Sequence, residues 1–149
     1  MTHRDQQSNL MDVIEQLKEA SEHLKISLQR CKTVDSKVTR EDVLIEFEAL
    51  TSRFARVVDL LIHKVYRSID AVEFVEGGTL VDVMNRADKR KIIDSVKEMR
   101  FLKDLRNDIA HEYLAERIAL LHQEVLERTP KLLNLISRAI DYCQKYQSH

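Results

Sequence analysis

The residues best suited to chemistry lie in one octet, Arg106-Asn107-Asp108-Ile109-Ala110-His111-Glu112-Tyr113. It places a permanent cation, small polar side chains, an imidazole and a phenol side by side. An Arg guanidinium can grip a phosphate bidentately and stabilise charge developing on it. A His can both take and give a proton near neutral pH. These two groups suffice for metal-free cleavage of RNA. The imidazole draws the proton from a ribose 2′-OH, that oxygen attacks the adjacent phosphorus, and the cation stabilises the phosphorane. Spacing complicates this. At about 100° per residue, Arg106 and His111 diverge by roughly 140° around an unbroken helix, whereas Asn107 and His111 share a face. Convergence requires a break or bend at Asn107-Asp108, or a second subunit. The residue types alone favour a plainer arrangement, with Arg106 paired to Asp104 or Asp108 and His111 at the end of a bundle.

Elsewhere the chemistry is thin. The sequence has no glycine-rich phosphate loop, no H-E-x-x-H and no G-x-S-x-G. Cys31 and Cys143 lack metal-ligand spacing and fall on apolar helical faces, as small buried hydrophobes do. His111 and His122 stand about three helical turns apart, too far to share one metal. Neither a metal nor a cofactor is expected. His63 reads as a bundle histidine, although Asp59, His63, Tyr66 and Arg67 could line one wall of a cleft. Tyr142 and Tyr146 read as packing residues. A net charge of -1 excludes a globally basic nucleic-acid binder. Charge is nevertheless uneven, because residues 86–106 carry eight Lys/Arg against four Asp/Glu, a local +4. Lys89, Arg90, Arg100 and Lys103 are the candidate phosphate contacts of that run. Lys89-Arg90-Lys91 reads as the start of a helix, where cations are poorly placed, which favours a role in binding phosphate.

The elements that must position these residues are helical. With 149 residues, two Gly, one Pro, 44% hydrophobic and 33% charged, the chain suits a single domain of amphipathic helices, not a β-protein rich in turns. A first helix is expected from about Asp5 to Cys31, then a loop over Thr33 to Lys37. Thr39, with Asp42 in the first turn, reads as the cap of a long second helix from Val43 to Ile69. Gly77-Gly78 marks a break, and Thr79 caps a short helix to about Arg86. Asp88 is expected to cap the next helix, whose apolar face runs from Ile92 to Leu105. A further helix spans about Ala110 to Arg128, and Thr129-Pro130 reads as the start of a last one reaching Tyr146. The expectation is an all-α, antiparallel bundle of four to five main helices in one domain, 1–149. Without a long apolar run or a signal-like start, a cytoplasmic protein with no membrane partner is expected.

In this setting R-N-D-I-A-H-E-Y resembles the R-x-x-x-x-H-x-Y signature of HepT-type toxins, members of the HEPN superfamily. Met99-Arg100-Phe101-Leu102-Lys103-Asp104-Leu105 and the leucine-rich helices that follow also suit that family. The resemblance implies a HEPN-like fold and a metal-independent endoribonuclease toxin of a type VII HEPN/MNT toxin–antitoxin system. It implies a homodimer whose shared cleft unites two motifs and takes RNA as substrate. It assigns Arg106 to the phosphate, Asn107 to its support and His111 to acid–base chemistry. Tyr113 matches the tyrosine that the cognate MNT antitoxin, a minimal nucleotidyltransferase, modifies with AMP. The family also contains chains resembling non-catalytic, substrate-binding or regulatory partners of such a nucleotidyltransferase, and that alternative stays open.

Overall fold

Amphipathic periodicity of about 3.6 residues dictates what is built. The computed structural model describes residues 2–33, 40–75 and 77–147, and every regular element among them is a helix. The expected loop and the Thr39 cap fall largely on residues 34–39, outside the described residues. Helix α1 (His3–Lys32) opens on a capping box between Thr2 and Asp5. Its predicted apolar stripe, from Leu10 to Cys31, is buried. The long second helix is interrupted. It consists of α2 (Arg40–Leu60), a π-helical turn (Leu61–Val65) and α3 (Tyr66–Val72). The Tyr66 N–H donates to the Leu61 carbonyl, five residues back, which marks the inserted residue.

α3 stops at Glu73 because Phe74 turns left-handed, with φ 64°, and the Val75 N–H returns to the Asp70 carbonyl at 2.9 Å. Gly77 and Gly78 follow with φ of 78° and 91°, a conformation that favours glycine. Thr79 then caps α4 (Leu80–Lys89) as expected, in a capping box with Asp82. Asp88 does not begin a helix. It lies in the last turn of α4, which ends on a second left-handed residue, Lys91, while Ile92 N–H closes onto the Ala87 carbonyl. The cap of α5 (Val96–His111) is Ser95, whose Oγ accepts from the Glu98 N–H at 3.1 Å. Nor does Thr129-Pro130 begin a helix, because α6 (Ala115–Cys143) runs straight through it. Thr129 is buried and its hydroxyl donates to the Val125 carbonyl at 2.7 Å, one turn back, while Pro130 faces outward. A short 3-10 turn (Gln144–Tyr146) follows.

Cross-helix contacts give the directions. Arg30 meets Glu46, Ser27 meets Arg53 and Asn9 meets Ser68, so α1 lies antiparallel to the α2–α3 rod. Glu112 faces Arg117, Phe101 faces Arg128 and Glu98 faces Lys131, so α5 and α6 form a second antiparallel pair. The fold is thus the expected all-α bundle. Its core joins Leu17, Leu24, Phe54, Tyr66, Met84, Met99 and Leu132 in one cluster. Each such side chain contributes roughly 1.5–3 kcal/mol on burial.

A polar network closes the α3–α4–α6 corner. The buried Asp70 carboxylate accepts from Arg86 Nε at 3.0 Å and Arg90 Nη1 at 2.6 Å. Arg90 Nε also donates to Glu73 at 2.7 Å, and the hydroxyls of Tyr142 and Tyr146 both donate to the other Glu73 oxygen. These tyrosines therefore tie α6 to α3 by hydrogen bonds as well as packing. On the same helix, Arg138 grips Asp94 and the carbonyls of Lys91 and Ile93, fixing the linker before α5.

Candidate nucleic-acid interface

α5 is unbroken through His111, so of the two routes to convergence the break or bend at Asn107-Asp108 does not occur. Arg106 and His111 therefore point to different sides of one helix. Arg106 turns toward α2, where Nε and Nη2 donate to the two Asp59 oxygens at 2.8 and 2.9 Å. Its partner is thus Asp59, 47 residues away, and not Asp104 or Asp108. Those hydrogen bonds hold the guanidinium above its ordinary pKa, against the opposing pull of burial.

His111 is exposed in the last turn of α5, with no hydrogen-bond partner among the described residues. Arg100, Lys103, Asn107 and His111 recur at three- and four-residue steps, so they form one stripe on α5, with Lys103 half-buried and the others exposed. The helix stops at Glu112, whose carboxylate accepts from the N–H groups of Tyr113 and Leu114 at 3.1 Å each. Tyr113 therefore sits in the turn between α5 and α6, and is 84% exposed.

Beside this stripe, α2 and α5 enclose an open groove of about 690 Å³. Its floor includes Ala55, Leu60, Ile109 and Ala110, and its rim carries Glu48, Arg56, Asp59, His63, Lys64 and Arg106. The π turn lies at this rim and contains both His63 and Lys64. Asp59 and His63 thus take the cleft-wall positions that their spacing suggested. Tyr66 does not, being fully buried in the core, and Arg67 is half-buried outside the groove lining. Within one chain, the imidazole that shares a groove with Arg106 is that of His63, while His111 stands outside it.

The basic cluster needs correction. Lys89 and Arg90 lie at the C-terminal end of α4, where cations are well placed, so the argument from a mismatched helix start falls. Arg90 is committed to Asp70 and Glu73, leaving Lys89 and Lys91 exposed. His122 stacks on Phe47 with ring centres 5.2 Å apart, and burial lowers its pKa. On the opposite flank of α5, a second groove of about 710 Å³ is lined by Asp104, Asp108, Glu112 and Glu124, with Arg117 as its cation. α5 thus separates a flank with a slight cationic excess, three Lys/Arg against two Asp/Glu, from an anionic one, four Asp/Glu against one Arg. Among the described residues no group of three or more His, Cys, Asp or Glu is arranged to hold a metal ion. No helix among them is long and apolar enough to cross a membrane. No family model matches the chain, and no match emerges among curated proteins or solved structures.

Proposed function

We propose that this chain is a metal-independent endoribonuclease toxin of the HEPN/MNT type VII kind, acting in the cytoplasm as a homodimer. The observation that carries the reading is the end of α5. There Asn107 and an exposed His111 stand on one stripe, while Arg106 fronts the α2–α5 groove. The divergence of Arg106 and His111 is the reason for a dimer. A two-fold axis beside α5 repeats the same patch on both subunits and brings one protomer's His111 toward its partner's groove. His111 takes the 2′-OH proton and later returns one to the leaving oxygen, while Arg106 and Asn107 hold the phosphate. Tyr113 stands open in the adjoining turn. AMP added to its hydroxyl places an anion where RNA must approach, which disfavours binding by like-charge repulsion.

The experiment is expression of wild type beside Arg106→Ala and His111→Ala, scoring growth, RNA integrity and helical circular dichroism together. Each variant keeps its fold and loses cleavage by about 10²–10⁴. Wild-type cleavage persists in EDTA. Normal cutting by His111→Ala, or a sedimenting monomer of 17.5 kDa, overturns the reading. Co-expression with a nucleotidyltransferase adds AMP-sized mass increments that Tyr113→Phe loses. A second reading, a non-catalytic partner of such a nucleotidyltransferase, draws on the bidentate Asp59 contact, which already occupies the Arg106 fork. Stable association with the nucleotidyltransferase and intact RNA at every concentration favours it.

A further inference from the structure

We propose that the α2–α5 groove continues over α2 onto α1 as one track for the backbone of single-stranded RNA, with Arg56 and Lys64 as its phosphate contacts. A smaller depression of about 320 Å³ between α1 and α2 shares Ser52 and Arg56 with the larger groove, so the two meet at Arg56. Two of the four Lys/Arg beside this path already have protein partners. Arg53 donates to Ser27 Oγ at 2.8 Å and to the His23 carbonyl at 3.1 Å, and Arg106 is held by Asp59. Arg56 and Lys64 are different: both are exposed, with no ion pair or hydrogen-bond partner among the described residues.

Spacing and floor define the ligand. Arg56 and Lys64 lie about 12 Å apart along the rod at 1.5 Å per residue, a separation that suits alternate, not adjacent, phosphates of an extended strand. Between them the floor is apolar, through Ala55, Leu60, Ile109 and Ala110. A ligand matching both features has regularly spaced anions with uncovered apolar faces between them. Single-stranded nucleic acid has that character, whereas a duplex hides its base faces. The His63 ring and the Arg56 guanidinium plane offer stacking surfaces. Glu48 opposes binding from the same rim. The site stands on these residues, while the choice of RNA rests on the ribonuclease reading.

The test uses the intact protein and a fluorescent oligouridine carrying 2′-O-methyl groups, which cannot be cleaved through the 2′-OH. Anisotropy is followed as salt is raised. Every phosphate that a cation neutralises adds about 0.7 to the steepness of log K against log salt. Arg56→Gln/Lys64→Gln should therefore lower the slope by about 1.4 and weaken binding at least about tenfold near 50 mM salt. Glu48→Gln should tighten binding, Lys32→Gln/Lys97→Gln, exposed cations outside both depressions, should leave it unchanged, and Arg100→Gln/Lys103→Gln should lower the slope by less than Arg56→Gln/Lys64→Gln does. Circular dichroism verifies that each variant is folded. Three results overturn the proposal: no binding by wild type at low salt, a wild-type slope in the Arg56/Lys64 variant, or a weakening that follows Arg100 and Lys103 instead. Cleavage of unmodified RNA is scored separately. Binding through Arg56 and Lys64 without cleavage sinks the ribonuclease reading alone, and cleavage with unaltered binding in the double variant sinks this one alone.

Discussion

Loss of Asp70 should cost this fold heavily, because its buried carboxylate neutralises two guanidiniums. Its side chain is 3% exposed and faces two guanidiniums, Arg90 at 10% and Arg86 at 22%. Asp70→Ala leaves both cations facing a site without its anion. Removing one partner of a buried ion pair typically costs about 3–5 kcal/mol, because the remaining charge stays desolvated. Two features place this case near the lower end. Arg90 keeps Glu73 at 2.7 Å, and Arg86 keeps the Gly77 carbonyl at 2.7 Å and some water. The expected loss is about 3 kcal/mol against a total of roughly 5–15. At about 2–4 °C per kcal/mol, Tm falls by about 6–12 °C. Urea titration followed by circular dichroism reads the same loss as a shifted midpoint at constant slope. Arg90→Met provides the control, since the pair interacts directly. In the Asp70→Ala/Arg90→Met cycle the double variant should lose at least about 1 kcal/mol less than the sum of the singles. An Asp70→Ala loss under about 0.5 kcal/mol, or strict additivity, refutes the idea that this carboxylate neutralises the corner.

Stability should also be bounded by pH at the same corner. Burial alone would raise the Glu73 pKa, but hydrogen bonds from Tyr142, Tyr146 and Arg90 outweigh it and hold the carboxyl below its ordinary 4.5. That contribution is complete above pH 4.5 and disappears as pH falls through the lowered folded value, so Glu73→Gln should flatten the acid limb of the urea midpoint. At the other end, burial and the Glu73 contact push Tyr142 up to about 12, so its contribution holds below pH 10 and is lost as pH rises through about 12. Burial pushes the Cys31 thiol to about 11 and the Cys143 thiol to about 12, so neither should react with a disulfide reagent at about pH 8 until urea unfolds the chain. Tyr66 buries its hydroxyl without a partner among the described residues, and Tyr66→Phe should match or exceed wild-type stability by about 1 kcal/mol in the same titration. Pro130 lies inside α6 on its outward face, so Pro130→Ala should raise Tm by the equivalent of about 1–3 kcal/mol.

Much of the bundle was legible because burial follows local periodicity. The stripe from Leu10 to Cys31 needs no knowledge of its neighbours. Helix boundaries were less so. Asp88 and Ser95 are both competent caps, and the choice between them turns on Lys91 adopting a left-handed conformation that residue type does not announce. Thr129-Pro130 carries the local chemistry of a helix start, yet burial of Thr129 and Leu132 on either side of the proline keeps α6 continuous. The candidate site divides in the same way. The octet and its divergence around the helix are local properties, and the structure keeps both. Asp59 as the partner of Arg106 depends on how α2 and α5 pack, which no spacing within either helix states. The groove cations were closer to hand. Arg56, Asp59 and His63 follow one another at three and four residues, a face-sharing pattern that could have added Arg56 to the cleft wall.

The grip of α6 on the rest of the molecule bears on synthesis. Arg138 fixes the linker leading into α5, and Tyr142 and Tyr146 fasten Glu73 at the end of α3. These ties join segments far apart in the chain, and all of them wait for the stretch translated after α5. On the ribosome, a nascent chain reaches His111 well before the helix that closes the bundle has left the exit tunnel. Domains complete as units once their long-range partners are present. Under the ribonuclease reading, this order of emergence delays a finished cleft, and the dimer that requires it, until translation has passed Tyr146. On that same reading, the order of elements along the chain acts as a timer, shielding the RNA of the ribosome that makes the protein.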